Sequence, residues 1–147
     1  RGAYMEKERD RAAKLNYPSP IQPDKKSTDK DFNAALELAI NNIDVCSICC
    51  GTHNEESSLL LTNLLKQQNI QPNNDQVYFA QLLGMSDHIS FNLADNGYMV
   101  AKYVPYGPIK EVLPYLLRRA DENTSVAGQT GRELSLIIKE RKRRKSN

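Results

Sequence analysis

The sequence predicts an α/β fold in which parallel strands alternate with helices, and three observations predict it. Short apolar, β-compatible segments alternate with stretches whose apolar residues recur every three to four positions. The strand-like segments recur on a spacing of ~30 residues, the length of a βαβ unit. Helix-capping and turn residues fall between them, at Thr52-His53-Asn54-Glu55 and at Asn96-Gly97.

Taken in order, a strand end is expected at Arg1–Tyr4, followed by an exposed helix over Glu6–Leu15, rich in charge and alanine. The run from Tyr17 to Pro23 breaks regular structure, because Pro18, Pro20 and Pro23 lack the N–H a helix interior needs. Thr28 or Asp29 is the expected cap of the next helix, which repeats Phe32, Ala35, Leu36, Ala39 and Ile40 on one face. A strand is expected over Asp44–Cys50, ended by Gly51. A helix follows from the capping box to about Gln68, with Leu60, Leu61, Leu64 and Leu65 as its stripe. Val77–Ala80 reads as a strand, Met85–Ala94 as a helix, Tyr98–Val104 as a strand, and about Ile109–Ala120 as a helix. Four such units are half of an eight-unit (β/α)8 barrel of the TIM type; a small doubly wound sheet fits the same periodicity.

The 147 residues, 39% hydrophobic and 26% charged, fit one globular domain and not a disordered chain. There is no apolar run of the ~20 residues a membrane helix needs and no signal-peptide pattern. Because the chain starts at Arg1, it reads as a piece of a longer protein. The net charge of +2 hides an asymmetry: Lys139, Arg141, Lys142, Arg143, Arg144 and Lys145 face only Glu140 in the last stretch, so the body is mildly acidic. Residues 1–138 are therefore read as the folded domain, and 139–147 as a basic, disordered tail. Without interleaved aromatics the tail is a solvated terminus before it is a nucleic-acid site. Cys46, Cys49 and Cys50 include a Cys-x-x-Cys spacing. Lacking a second pair and set in an apolar strand, they read as structural thiols in a reducing compartment.

In parallel α/β folds, chemistry gathers past the C-terminal ends of the strands. Candidates stand at each such place: Arg1-Gly2-Ala3-Tyr4, Thr52-His53, Gln81 with Gly84, and Tyr103. His53, between a strand end and a helix start, is placed for phosphate or is a satisfied loop histidine. His88, beside Asp87, reads as a surface residue. On the last helix Tyr115, Arg118, Arg119 and Glu122 share a sector of roughly 100°. Two guanidiniums beside an aromatic ring, steadied by a carboxylate, suit a small carboxylate ligand. The pattern by itself favours a solvated charged face. No metal site is expected, and neither an HExxH nor a GxGxxG motif occurs.

The stretches RGAYMEKERDRAA, YPSPIQP, THNE, QVYFAQLLGMSDHISF, GYMVAKYVPYGP and EVLPYLLRRADEN cover most of residues 1–123. With them the chain resembles the C-terminal half of the catalytic barrel of the proline dehydrogenase (proline oxidase) family. The resemblance implies a distorted (β/α)8 barrel with noncovalent FAD at the strand ends, and oxidation of L-proline to Δ1-pyrroline-5-carboxylate. It implies that Arg118 and Arg119 bind the substrate carboxylate and that Glu122 steadies them. Tyr103 and Tyr115 would close over the substrate ring, Tyr4 would be a further active-site tyrosine, and Tyr103, Arg118 and Arg119 would be the catalytic set. Arg1, Gly2, Ala3, Thr52 and His53 would contact the flavin. A quinone-type electron acceptor and peripheral membrane association are implied, with no nucleic-acid partner. The implied location is mitochondrial for a eukaryotic source, cytoplasmic or peripheral to the membrane for a bacterial one. The missing N-terminal half would supply an active-site lysine, an aspartate and much of the flavin cradle, so the piece alone is expected to be inactive. Arg1 replaces a lysine of many relatives, and Met5 replaces an aromatic of the bacterial bifunctional forms. The competing class is a noncatalytic barrel fragment, or a nucleic-acid-binding module acting through the tail.

Overall fold

The structure, a computed structural model, describes residues 4–125 and 127–145; the side chains of 119–133 stand outside that description. The chain divides into two units, Arg1–Val104 and Pro105–Asn147.

In the first unit three parallel strands, β1 (Ile48–Gly51), β2 (Val77–Leu82) and β3 (Val100–Tyr103), lie in the order β1-β2-β3. The helices of this unit are α1 (Met5–Leu15), α2 (Lys25–Asn41), α3 (Glu55–Gln67) and α4 (Asp87–Asp95). α3 leads from β1 to β2 and α4 from β2 to β3, which is the alternation the sequence predicts. Of the first expected strand end, Arg1, Gly2 and Ala3 lie outside the described residues, and Tyr4 lies in a turn.

One face of the sheet is apolar, and it makes the core. The register sets Cys50 beside Phe79 and Phe79 beside Val100, while Val77 lies beside Ile48. Val77, Phe79 and Cys50 are buried at every second position, with Leu36 and Ile40 of α2, Leu61 and Leu65 of α3, and Ile89 and Leu93 of α4 packed over them. Tyr98 closes the cluster edge-on against Phe79, with ring centroids 5.5 Å apart and planes 73° apart.

Local chemistry fixes where each helix starts and stops. α2 is capped by Asp24, whose side chain accepts from the Ser27 N–H at 2.7 Å, four residues before the expected Thr28. Asp29 instead pairs with Lys25 on the helix surface. The strand expected over Asp44–Cys50 shortens to Ile48–Gly51, because the preceding residues finish α2. The Val45 N–H donates to the Asn42 carbonyl at 3.1 Å, and the Cys46 thiol donates to the same carbonyl at 3.1 Å. α3 is capped by Asn54, not Thr52: the Asn54 carboxamide oxygen accepts from Glu56 and Ser57 at 3.0 and 3.4 Å. Thr52 Oγ1 accepts from the Asn54 N–H at 3.1 Å and so braces the cap itself. α4 ends at the expected Asn96-Gly97 turn. Gly97 adopts φ +79°, and the Tyr98 N–H returns to the Leu93 carbonyl at 3.0 Å in a Schellman closure.

The second unit holds α5 (Ile109–Ser125) and α6 (Ala127–Lys145). The Pro108 carbonyl accepts from the Glu111 and Val112 N–H groups at 2.9 and 3.0 Å and opens α5. The basic stretch from Lys139 to Lys145 lies within α6. Glu140 receives Arg143 through two bonds of 2.8 Å and Arg144 through one of 2.9 Å, each one turn along the helix. These donors pull its carboxyl down to about 2.

Replacing Asn54 by alanine removes the cap and the first fixed turn of α3. The expected loss is about 1 kcal/mol, read as a lower denaturation midpoint of the intact protein with an unchanged slope.

Candidate active site

In a parallel sheet every strand delivers its C-terminal end to the same edge, and here that edge is polar. β2 alternates inward residues as Val77, Phe79 and Gln81, so the last of the three carries an amide into the buried row. Gln81 is satisfied on both sides: its Nε2 donates to the Thr52 carbonyl at 3.3 Å and its Oε1 accepts from Ser90 Oγ at 2.8 Å. Beside it in register, Lys102 of β3 sends its ammonium to the Met85 carbonyl at 2.7 Å and to Asp87 Oδ1 at 2.8 Å. The loop from Leu83 to Ser86 is therefore pinned from below by β3 and from its far end by α4.

His53 stands on this edge, half-buried, with Nδ1 2.9 Å from Ser86 Oγ. Tyr103, at the end of β3, is 53% exposed, and its carbonyl accepts from the Leu83 N–H at 3.0 Å. The sheet's other face, which carries Cys49, Gly51, Tyr78, Ala80, Leu82, Ala101 and Tyr103, holds none of the buried core cluster. Gly51, Ala80 and Ala101 are small and lie side by side across it, and a Cβ added at Gly51 would meet nothing within 4 Å. A planar group laid along this edge would find the Thr52 hydroxyl and the His53 imidazole beside the row of Gly51, Ala80 and Ala101. That donor set fits a flavin, which needs hydrogen bonds at its ring edge and phosphates.

The structure gathers Thr52, His53 and Tyr103 on the strand edge. Tyr4, 70% exposed, offers its carbonyl to the Glu8 N–H at 2.9 Å, with Lys7 Nζ 5.8 Å from the centre of its ring. In the second unit Tyr115 is half-buried and Arg118 exposed on α5. The backbone of Arg119 and Glu122 lies within α5, but their side chains, and so the expected carboxylate-to-arginine bond, lie outside those described. His88 is half-buried, and its Nε2 lies 2.8 Å from Glu55 Oε1, tying α4 to α3. Ser86, Ser90 and Lys102 escaped the sequence reading. The signal for the cluster was Gln81, a polar residue at the buried phase of an alternating strand.

Residues 1–132 match the family described as Proline dehydrogenase. The chain belongs to the proline dehydrogenase family. It is 43% identical over 149 residues to "Proline dehydrogenase 1, mitochondrial" of Dictyostelium discoideum, covering 98% of this chain and 26% of that protein. To "Hydroxyproline dehydrogenase" of Homo sapiens it is 41% identical over 148 residues, covering 98% of this chain and 32% of that protein. Among solved structures it is similar to proline utilization A from Bdellovibrio bacteriovorus, inactivated by N-propargylglycine. That match has a TM-score of 0.76 at 27% identity and covers 84% of this chain and 13% of the other. The chain thus spans about a third or less of the relatives it matches. The three parallel strands alternating with helices are the architecture that this structural match supports.

Cys46 and Cys50 stand apart from that open face, which carries Cys49. Among the described residues no group of three His, Cys, Asp or Glu side chains could hold a metal ion. The Cys46 thiol is spent on the carbonyls that end α2, and burial pushes the Cys50 thiol from 9.0 up to about 12. A raised thiol value means that Cys50 favours the folded state fully below pH 9.0 and loses that contribution as pH rises toward 12. Cys50 is therefore expected to resist iodoacetamide at pH 8 in the native protein and to react once denaturant is added, as read by mass spectrometry.

Proposed function

We propose that the protein to which this chain belongs oxidises L-proline to Δ1-pyrroline-5-carboxylate with FAD, and that this chain supplies the substrate clamp and part of the flavin site. The observation that carries the reading is the polar strand edge. Thr52 and His53 follow β1 and Tyr103 ends β3 on that edge, in a chain whose family membership rests on residues 1–132. FAD, when bound, supplies the acceptor for a hydride. The remaining work is orientation, because the hydride-donating ring carbon has to be held over the acceptor while the amine proton departs and the C–N bond becomes C=N.

Each residue has a part in that task. Arg118 and Arg119 fork onto the carboxylate, and Glu122 fixes their planes. Tyr103 and Tyr115 wall the ring against water, and Tyr4 lines the same pocket. Arg1, Gly2 and Ala3, with Thr52 and His53, hold the flavin. The N-terminal remainder of the barrel completes the cradle. Electrons leave to a quinone-type acceptor with the protein peripheral to a membrane, and the location is mitochondrial, in line with the relative named so. No helix among the described residues is long and apolar enough to cross a membrane. A second reading has a specific observation behind it: a hydroxylated proline ring as substrate, since a relative named hydroxyproline dehydrogenase is 41% identical.

The intact, purified protein is expected to show an oxidised-flavin absorption spectrum that bleaches on adding proline. A greater kcat/KM for hydroxyproline would favour the second reading. Arg118→Gln and Arg119→Gln are each expected to raise the KM for proline by the equivalent of ~2–4 kcal/mol. An unchanged KM removes the carboxylate assignment.

A further inference from the structure

We propose that the cleft between α3 and α4 is a binding site for a small organic carboxylate. Lys66 and the Tyr98 hydroxyl take its anionic group, and Leu59, Ile89 and Leu93 take its apolar body. The cleft lies on the helical side of the sheet, and its anion-binding end is at the opposite edge from Thr52, His53 and Tyr103.

The two helices are joined at their N-terminal ends, where His88 meets Glu55. From that bond to their last turns they line a cavity of about 360 Å³. Small-ligand sites typically span roughly 300–1,000 Å³. Ile89 and Leu93 line it as buried residues of α4, and Leu59 of α3, 62% exposed, forms an apolar rim. Most polar side chains along it are engaged by their own helices. Ser58 donates to the Asn54 carbonyl at 3.0 Å and Thr62 to the Leu59 carbonyl at 2.8 Å. Asn92 and Asn96 donate likewise to the His88 and Asn92 carbonyls, at 2.6 and 2.8 Å.

Tyr98 differs from all of these. It lines the cavity at 8% exposure, with its ring fixed edge-on against Phe79, yet its hydroxyl has no hydrogen-bond partner among the described residues. A tyrosine hydroxyl so enclosed ordinarily finds one. Lys66, in the last turn of α3, lines the same cavity, and its ammonium has no ion-pair partner among the described residues. The fold brings the two groups to one end. α3 and α4 each cross between neighbouring parallel strands, so they run the same way and finish at the same edge of the sheet. Lys66 stands at the end of α3, and Tyr98 follows the Gly97 turn that closes α4. Glu55, the acidic residue of the lining, is at the other end beside His88. The cavity is therefore polarised, with an ammonium and a hydroxyl donor at one end of an apolar trough. One cation and one donor match a single negative charge, which a carboxylate supplies with acceptor oxygens for both.

The test titrates naphthoate into the intact protein by calorimetry, with naphthylmethanol as its uncharged counterpart and thermal melting of each variant. Saturable binding of naphthoate is expected, with naphthylmethanol about tenfold weaker or worse. Tyr98→Phe keeps the ring against Phe79 and removes only the hydroxyl, and Lys66→Gln changes an exposed side chain, so both are expected to melt as the wild type does. Each is expected to weaken naphthoate about tenfold. Arg118→Gln, at the proposed proline clamp, is expected to leave naphthoate affinity unchanged, which separates this cleft from the site proposed for proline. No saturable binding at millimolar probe overturns the proposal, the Tyr98 hydroxyl then being satisfied by solvent. Wild-type affinity in either Tyr98→Phe or Lys66→Gln also overturns it, and a loss confined to Arg118→Gln assigns the probe to the clamp instead. Equal affinity for the charged and uncharged probes removes the carboxylate and overturns the proposal with it.

Discussion

The side-by-side row of buried Cys50 and Phe79 and half-buried Val100 across three parallel strands is the constraint on which the rest of the structure depends. A strand shifted by one residue would turn its whole apolar row to the opposite face, so this row fixes the register as well as the core. Phe79 is completely enclosed, and the residues that enclose it come from α2, α3 and α4 together. Once the register is fixed, the polar ends follow without further instruction. Gly51 stops β1 and hands the chain to Thr52 and His53, while Gln81, Lys102 and Tyr103 arrive at matching heights.

That edge shows how a buried polar group can be tolerated beside an apolar core. Gln81 lies in the same row as Phe79 and would cost heavily if unpaired. Its amide is engaged at both ends, by the Thr52 carbonyl and the Ser90 hydroxyl, so it joins two loops instead of weakening the sheet. Lys102 acts similarly from β3, since its long side chain ends on the Met85 carbonyl and Asp87. The loops bearing the candidate flavin contacts are thus fastened to strands, where their positions are most exact.

Much of this was legible in the chain. Alternation of apolar runs with helical periodicity gave the order of elements, and Asn96-Gly97 marked a turn with a definite backbone chemistry. Boundaries were legible only in part, because caps decide them: Asp24 lies ahead of Thr28, and Asn54, itself braced by Thr52, takes the Glu56 and Ser57 N–H groups. A run of like charge repels itself, but Glu140 one turn from both Arg143 and Arg144 offsets that repulsion within a helix. Thr52 and His53 were visible from their place after a strand. Ser86 was not, because its partner is distant in sequence and its left-handed backbone leaves no periodic trace.

The parallel order of the strands also governs how such a chain can come together. No hairpin is available to start the sheet: Ile48 must find Val77, and Phe79 must find Val100, across intervening helices. Each pairing closes a long loop before it gains any burial, so the strands are late partners and the crossover helices early ones. The outer sides of β1 and β3 have no neighbouring strand among the described residues. Unpaired edges of that kind invite pairing with other chains until neighbouring segments cover them. For this segment, then, folding is a race between completing the sheet in its own polypeptide and lending an edge to another.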